Sequence, residues 1–315
     1  MSAATPPSPP FLFDLGLAPV LTLQGPDARR FANGMFTQNV RDLAVGAAAR
    51  SAMTDDRGRI LGLLDLYCTD QEGFLLVLEG VDGDWFQERY GMYIVFDDVE
   101  MADLSGELVL LSVQGQGAGQ VVQQALGGAD PALGHRLVDG VHLLARDRAA
   151  TGGWDLLVPH ERADALRADL AVAGAQPAAL DELLALRVRA GLPTWPADRS
   201  GERTFVHELG LRDLVCSFDK GCYVGQEVIN RMDTMGRPTR RLLGLTIQGA
   251  ELPPEGTTVQ LDGATIGRMG TAARVGDQLQ ALAVLQKKGW APGTSVTLTS
   301  ANASWPAIVS TLPFD

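Results

Sequence analysis

The stretch Lys220-Gly221-Cys222-Tyr223-Val224-Gly225-Gln226-Glu227 is the most informative run in this 315-residue chain. Lys220-Gly221-Cys222 reads as a compact loop, and Gly225-Gln226-Glu227 opens a helix that continues through Met232. The unpaired backbone N–H groups of such a helix, and the positive end of its dipole, face the loop. Lys220 stands two residues from Cys222. Both effects favour a thiolate. The two glycines let backbone approach a ligand or a partner closely. On this chemistry alone, a functional thiol and a buried structural cysteine both remain open readings of Cys222.

The chain changes character on either side of this stretch. Beyond Arg241, residues 242–247, 257–261, 265–273, 280–285 and 295–298 are short strand-like runs punctuated by Gly, Pro and Asp. That spacing predicts a small antiparallel barrel or sandwich with a boundary near Leu242. Upstream, strands and helices alternate. Residues 52–69 form a hairpin broken at Asp55-Asp56-Arg57-Gly58, whose charges read as a solvated turn. Residues 19–24, 73–78, 107–113, 141–145 and 154–158 read as strands, and so do 92–99. Helices are expected over 27–33, 83–90, 117–126, 161–173 and 181–190, the last capped by Asp181, with a helical turn at 37–43. No internal repeat stands out.

Composition narrows the function. The net charge of -12 and a pI near 4.8 argue against a general nucleic-acid or anionic-membrane surface. Arg231, Arg237, Arg240 and Arg241 form the best local basic patch. Three cysteines, Cys68, Cys216 and Cys222, do not make a disulfide framework and fit a reducing compartment, so the cytoplasm is expected. Residues 1–10 read as a disordered tail without targeting features, and no apolar run is long enough to span a membrane. Gly115-Gln116-Gly117-Ala118-Gly119 lacks the third glycine of a dinucleotide loop, where Gln120 stands. Cys216 and Cys222 lack zinc-knuckle spacing, and the four histidines make no close pair, so no metal site is expected. A Cys222–His207 hydrolase pair would need hydrogen-bond reach.

The octapeptide, followed by Arg231, resembles the hallmark of the YgfZ-type folate-binding proteins, relatives of the glycine-cleavage T-protein. Residues 13–34, 37–40 and 55–61, the run 186–193 (LRVRAGLP) and the run 205–211 (FVHELGL) are similar to that superfamily as well. The resemblance implies an α+β fold: a two-part, interleaved body over 11–241 around a central cavity, then a C-terminal antiparallel β-barrel over 242–315. It implies tetrahydrofolate or a derivative as ligand. Glu208 is placed to meet the pterin, and Arg240, with Arg241 as fallback, to pair with a folate carboxylate or close the pocket. Tyr67 either lines the cavity or packs within its strand. Cys222, with Lys220, is the implied reactive group. Two departures stand out. Arg189 replaces an acid of the family's Arg-x-Glu-Ala-Gly run. The Asp-Asp pair of true T-proteins falls at Leu61-Gly62-Leu63-Leu64, so Asp65 would need a register shift to replace it. The implied function is accessory support of iron–sulfur cluster assembly or repair, acting indirectly on transfer-RNA modification. Its partners are folate and iron–sulfur proteins or assembly factors, with neither direct nucleic-acid nor membrane binding. The alternative is a tetrahydrofolate-dependent aminomethyltransferase of the glycine-cleavage type.

Overall fold

The computed structural model describes residues 9–127, 134–236 and 238–314. Most of the expected tail, and Arg237, lie outside them. In chain order the body runs β1 (Phe11–Leu17), β2 (Val20–Gln24), α1 (Ala28–Met35), β3 (Ala48–Thr54), β4 (Ile60–Cys68), β5 (Gly73–Glu79), α2 (Gly83–Gly91) and β6 (Glu100–Asp103). It continues through β7 (Leu108–Gln114), α3 (Ala118–Ala125), β8 (His135–Val138), β9 (Val141–Ala145), β10 (Gly153–Pro159), α4 (Ala163–Val172), β11 (Gln176–Pro177) and α5 (Leu180–Ala190). A connector carries α6 (Arg212–Val215) and α7 (Gln226–Thr234). The barrel follows as β12 (Arg240–Ile247), β13 (Thr258–Leu261), β14 (Ala264–Val275), β15 (Gln278–Gln286), β16 (Ser295–Thr299) and β17 (Ser304–Ser310).

Two sheets form the body, ordered β3-β4-β5-β2-β6 and β11-β1-β7-β10-β9-β8. The alternation along β4 shows how they stack. Leu64, Leu66 and Cys68 join the core beneath α1 and α2, while Tyr67 faces Leu108, Leu110, Leu144 and Leu157 of the other sheet. Period-two alternation assigns those sets to opposite faces. The second sheet packs its outer face on α3 and α4. The layers are therefore helix, sheet, sheet, helix. The chain starts in the second sheet with β1, crosses to the first for β2–β6, and returns.

The two halves repeat one plan, although the sequence displays no evident repeat. Each is strand, helix, three strands, helix, strand, with its first strand inside the sheet. The opening strands end in Gln24-Gly25 and Gln114-Gly115, and the two glycines share φ values of 128° and 127°. Both glutamines lie over a glycine: a Cβ at Gly73 would meet Gln24 at 2.2 Å, and one at Gly153 would meet Gln114 at 2.1 Å. The likeness is carried by backbone and a few small residues, which a hydrophobicity pattern does not register. The Gly115–Gly119 run is thus a strand-to-helix turn, with Gly117 left-handed at the start of α3.

Six strands close the barrel in the order β12-β15-β14-β13-β16-β17. Its interior holds Leu243, Leu245, Ile266, Leu285, Leu298 and Val309. A further core cluster joins Leu63 of β4, Val188 of α5, Ile229 of α7 and the barrel residues Leu282 and Val284. The connector is thereby wedged between body and barrel.

Several local expectations differ from the structure. Residues 37–43 are not helical: Thr37 N–H bonds to Ala52 C=O at 3.2 Å, holding the chain against β3. Residues 92–98 form an exposed turn, and the strand comes later, at β6. The N-cap of α5 is Ala179 rather than Asp181. Strands β1, β8, β11 and β17 have no counterpart among the expected strands. Among the described residues no helix is long and apolar enough to cross a membrane.

Candidate functional site

A cavity of about 410 Å³ opens between the sheets, bounded by Arg50 and Tyr67, Arg146 and Arg148, Arg187, and the apolar Leu192, Leu211 and Leu214. Each wall comes from a different element. Arg50 and Tyr67 lie on the paired strands β3 and β4, where Arg50 stands opposite Asp65 and Tyr67 opposite Ala48, Arg146 and Arg148 follow β9, and Arg187 is buried on α5.

Asp65 is the pivot of this site. It lies on β4 on the same face as Leu63 and Tyr67 and lines the cavity. Arg50 Nη1 donates to both its oxygens at 3.0 and 3.1 Å, and Arg146 Nε lies 3.0 Å from Oδ2. Burial pushes the Asp65 carboxyl up, but Arg146 and Arg50 outweigh it and hold the acid ionised, below its usual range. Arg50 also donates to Glu79. Burial opposes the Arg50 charge, yet Asp65 and Glu79 raise its pKa overall. Arg148 is held by Asp155 through Nε and Nη2.

Arg187 differs from the other three. Its guanidinium donates to Thr194 Oγ1 at 3.1 Å, to Pro193 C=O, and weakly to Arg148 C=O at 3.5 Å. No carboxylate among the described residues pairs with it. Burial pulls its pKa down to about 10. Arg189, which replaces the family's acid, points to solvent instead. Tyr67 lines the cavity, and burial raises its phenol pKa.

Glu208 and Arg240 come together, but away from this cavity. Glu208 Oε1 accepts from Arg240 Nε at 2.8 Å, and Oε2 accepts from Ser200 Oγ and Phe205 N–H at 3.0 and 3.2 Å. Arg240 also donates to the carbonyls of Ser200 and Arg203. The pair straps the connector to the first barrel strand. Arg241 is exposed on that strand.

The Lys220–Glu227 loop lies on the hairpin tip. Gly225 is left-handed, φ 83°, and a Cβ there would meet Asp55 C=O at 2.5 Å and Gly58 Cα at 2.9 Å. Thr54 Oγ1 donates to Val224 C=O at 2.7 Å. The hairpin turn expected to be solvated is thus a docking platform. Lys220 donates its ammonium to the carbonyls of Phe36 and Gln38 at 2.7 and 2.8 Å, and burial lowers its pKa to about 7. Its charge is directed into the body rather than toward the thiol. Cys222 is exposed, while Cys68 and Cys216 are buried, and all three are free. The side chain of His207 is buried, with neither ring nitrogen hydrogen-bonded.

The buried arginines were overlooked in the sequence. Arg50 interrupts an apolar strand and Arg146-Asp147-Arg148 closes another. A charge in an otherwise buried strand is the signal that would have exposed them.

The family model described as the GCVT N-terminal domain matches residues 11–220. An aminomethyltransferase of Picosynechococcus sp. strain PCC 7002 is 26% identical over 317 residues, covering 96% of this chain and 86% of the relative. One from Geobacillus kaustophilus is 29% identical over 280 residues, covering 84% and 75%. The crystal structure of glycine cleavage system aminomethyltransferase T from Bartonella henselae superposes with a TM-score of 0.85 at 21% identity, covering 98% of this chain and 87% of that one. That likeness shows a T-protein-like α+β fold with a C-terminal barrel.

Proposed function

Because the chain belongs to the GCVT N-terminal domain family, we propose that it is a folate-binding accessory protein of the YgfZ type. It supports iron–sulfur cluster assembly or repair, and through that transfer-RNA modification, with Cys222 as its working thiol. One observation carries this reading. Of the three cysteines only Cys222 is exposed, on a loop fixed by Lys220, Thr54 and Gly225. A thiol held outward on a rigid loop suits exchange with a protein partner. Lys220 acts by fixing the loop.

Tetrahydrofolate or a derivative fits the residues of the cavity. Its volume lies in the range of small-molecule sites. Tyr67 offers an aromatic face, Asp65 an acceptor for ring amino groups, and the arginines donors for carboxylates. Glu208 and Arg240 serve the ligand indirectly, by holding the connector.

Aminomethyl transfer is the weaker reading. Gly62 and Leu63 stand within the stretch that carries the acidic pair of T-proteins, and Asp65 is engaged by two arginines. A developing positive amine lacks a free carboxylate there.

Cys222→Ala tests the reading. The variant should fold normally and fail to restore iron–sulfur enzyme activity in cells lacking the protein. Full restoration would remove the thiol from the function. Turnover in a glycine-cleavage assay with lipoylated carrier protein would instead favour the transferase.

A further inference from the structure

The turn between α2 and β6 is unlike an ordinary surface loop. Residues 91–100 read Gly-Met-Tyr-Ile-Val-Phe-Asp-Asp-Val-Glu, where Asn, Asp, Ser or Pro would normally build the turn. Ile94 packs on the core beneath α1 and α2, but Met92, Tyr93, Val95 and Phe96 are exposed, Phe96 to 97%. Scattered apolar residues on a surface are ordinary, whereas four within five positions form a patch. The turn is also fastened at both ends. Tyr93 and Ile94 donate their N–H groups to the carbonyls of Tyr90 and Gly91 at 3.0 and 3.1 Å. Asp98 N–H donates to Asp27 Oδ2 at 3.0 Å, Asp98 C=O accepts from Asp27 N–H at 3.3 Å, and Arg30 pairs with Asp97. Gly25 permits this contact, since a Cβ there would meet Asp98 C=O at 2.2 Å. A ridge held in this way loses little freedom on binding.

The ridge starts near the cysteine loop. It leaves α2 at Tyr90, whose ring stands 5.4 Å from that of Phe36, and the Phe36 carbonyl accepts from Lys220 at 2.7 Å. It ends beside Arg30, in the first turn of α1. The ridge thus follows α1, a helix about 12 Å long. A standard protein interface takes about 800 Å² from each partner, a patch about 30 Å across, so one partner can span both the ridge and Cys222. The surrounding charge is one-sided. Residues 82–100 carry six acids, Asp82, Asp84, Glu88, Asp97, Asp98 and Glu100, against the single base Arg89. That disfavours an anionic membrane and suits a protein whose apolar pocket is rimmed by Lys and Arg. Aromatic side chains seated in such pockets carry much of the binding. We infer that residues 92–96 are the docking ridge for the protein that meets Cys222: Phe96 and Val95 enter an apolar pocket, and the flanking acids face its basic rim. The link to Cys222 rests on the proposed function, whereas the docking of a basic-rimmed protein rests on the turn alone.

The test uses the full chain in cells that lack it. The photo-crosslinker p-benzoylphenylalanine, placed at Phe96 and separately at the exposed Glu227 of the cysteine loop, should trap one and the same protein. Mass spectrometry should map the adduct from position 96 to an apolar site flanked by Lys and Arg. Different proteins at the two positions, or a lipid or a second copy of this chain at position 96, overturn the inference. Substitutions decide it independently of crosslinking. Val95→Ser combined with Phe96→Ser should lower the restoration of iron–sulfur enzyme activity about 10-fold. The urea midpoint and the rate at which Ellman's reagent modifies Cys222 should stay at wild-type values, and Phe96→Leu should restore most of the activity. Val172→Ser, at an exposed apolar position on α4, should change nothing. If the double variant restores activity fully while Cys222→Ala does not, the inference fails and the thiol reading survives. If Cys222→Ala restores activity fully while the double variant does not, the ridge stands and the thiol reading fails.

Discussion

Gly225 is the residue on which the cysteine loop depends. Its left-handed backbone and its contact with Asp55 leave no room for a Cβ. Gly225→Ala should therefore cost about 1–3 kcal/mol, read as a lower urea midpoint. It should also free the thiol loop from the hairpin, read as faster proteolysis near Cys222. Gly221, with nothing within 4 Å of a Cβ, is the control, and Gly221→Ala should leave both readings unchanged. An equal loss in the two variants would contradict the docking role. Arg50 is the second case. Removing it leaves Asp65 and Glu79 buried with fewer counter-charges. Arg50→Met should destabilise the fold by about 3–5 kcal/mol, again by urea titration. A loss under 1 kcal/mol would mean that Arg146 and water satisfy those acids.

At the scale of elements, strand β8 carries a proton-sensitive contact. His135 Nε2 and His142 Nδ1 are 3.0 Å apart, their rings stacked, so the pair shares one proton. Burial, and then His142, pull the His135 pKa down to about 4, and burial lowers that of His142. The unfolded chain takes up protons near pH 6.5, where the folded pair does not. Stability is therefore complete above that pH and declines as pH falls toward about 4. Unfolding midpoints at about pH 7.5 and pH 5 should differ in that direction, and His142→Gln should flatten the difference. An unchanged slope would exclude the pair as its source. The elements themselves were largely legible in the sequence. The β3–β4 hairpin, α4, α7 and five barrel strands follow from periodicity and punctuation. What escaped depends on tertiary partners. The stretch at Thr37 looks helical until β3 is present to hold it extended. The site was partly legible: the sequence singles out Tyr67, which lines the cavity, and Cys222, which is exposed on its loop, but the pairing of Glu208 with Arg240, and the convergence of Arg50, Arg146 and Arg187, arise from chain segments far apart.

Across the whole molecule, the Glu208–Arg240 strap and the mixed core around Ile229 couple barrel to body. Glu208→Ala leaves Arg240 without its carboxylate and releases Ser200 and Phe205. We expect a loss of about 3 kcal/mol, with new proteolytic cleavage between Ser200 and Phe205 and an intact barrel fragment. Unaltered proteolysis would show that the core alone holds the connector. The path of the first strand has a different consequence. β1 pairs with β7 and β11 but leaves β2 to another sheet. During synthesis on the ribosome, β1 emerges first, yet its antiparallel neighbour, Leu108–Gln114, is translated only after the entire first sheet. The first sheet can close early, while Phe11–Leu17 waits as an unpaired edge beside it. A nascent chain stalled before Leu108 therefore exposes this strand, and a chaperone that recognises extended apolar segments would find its site there.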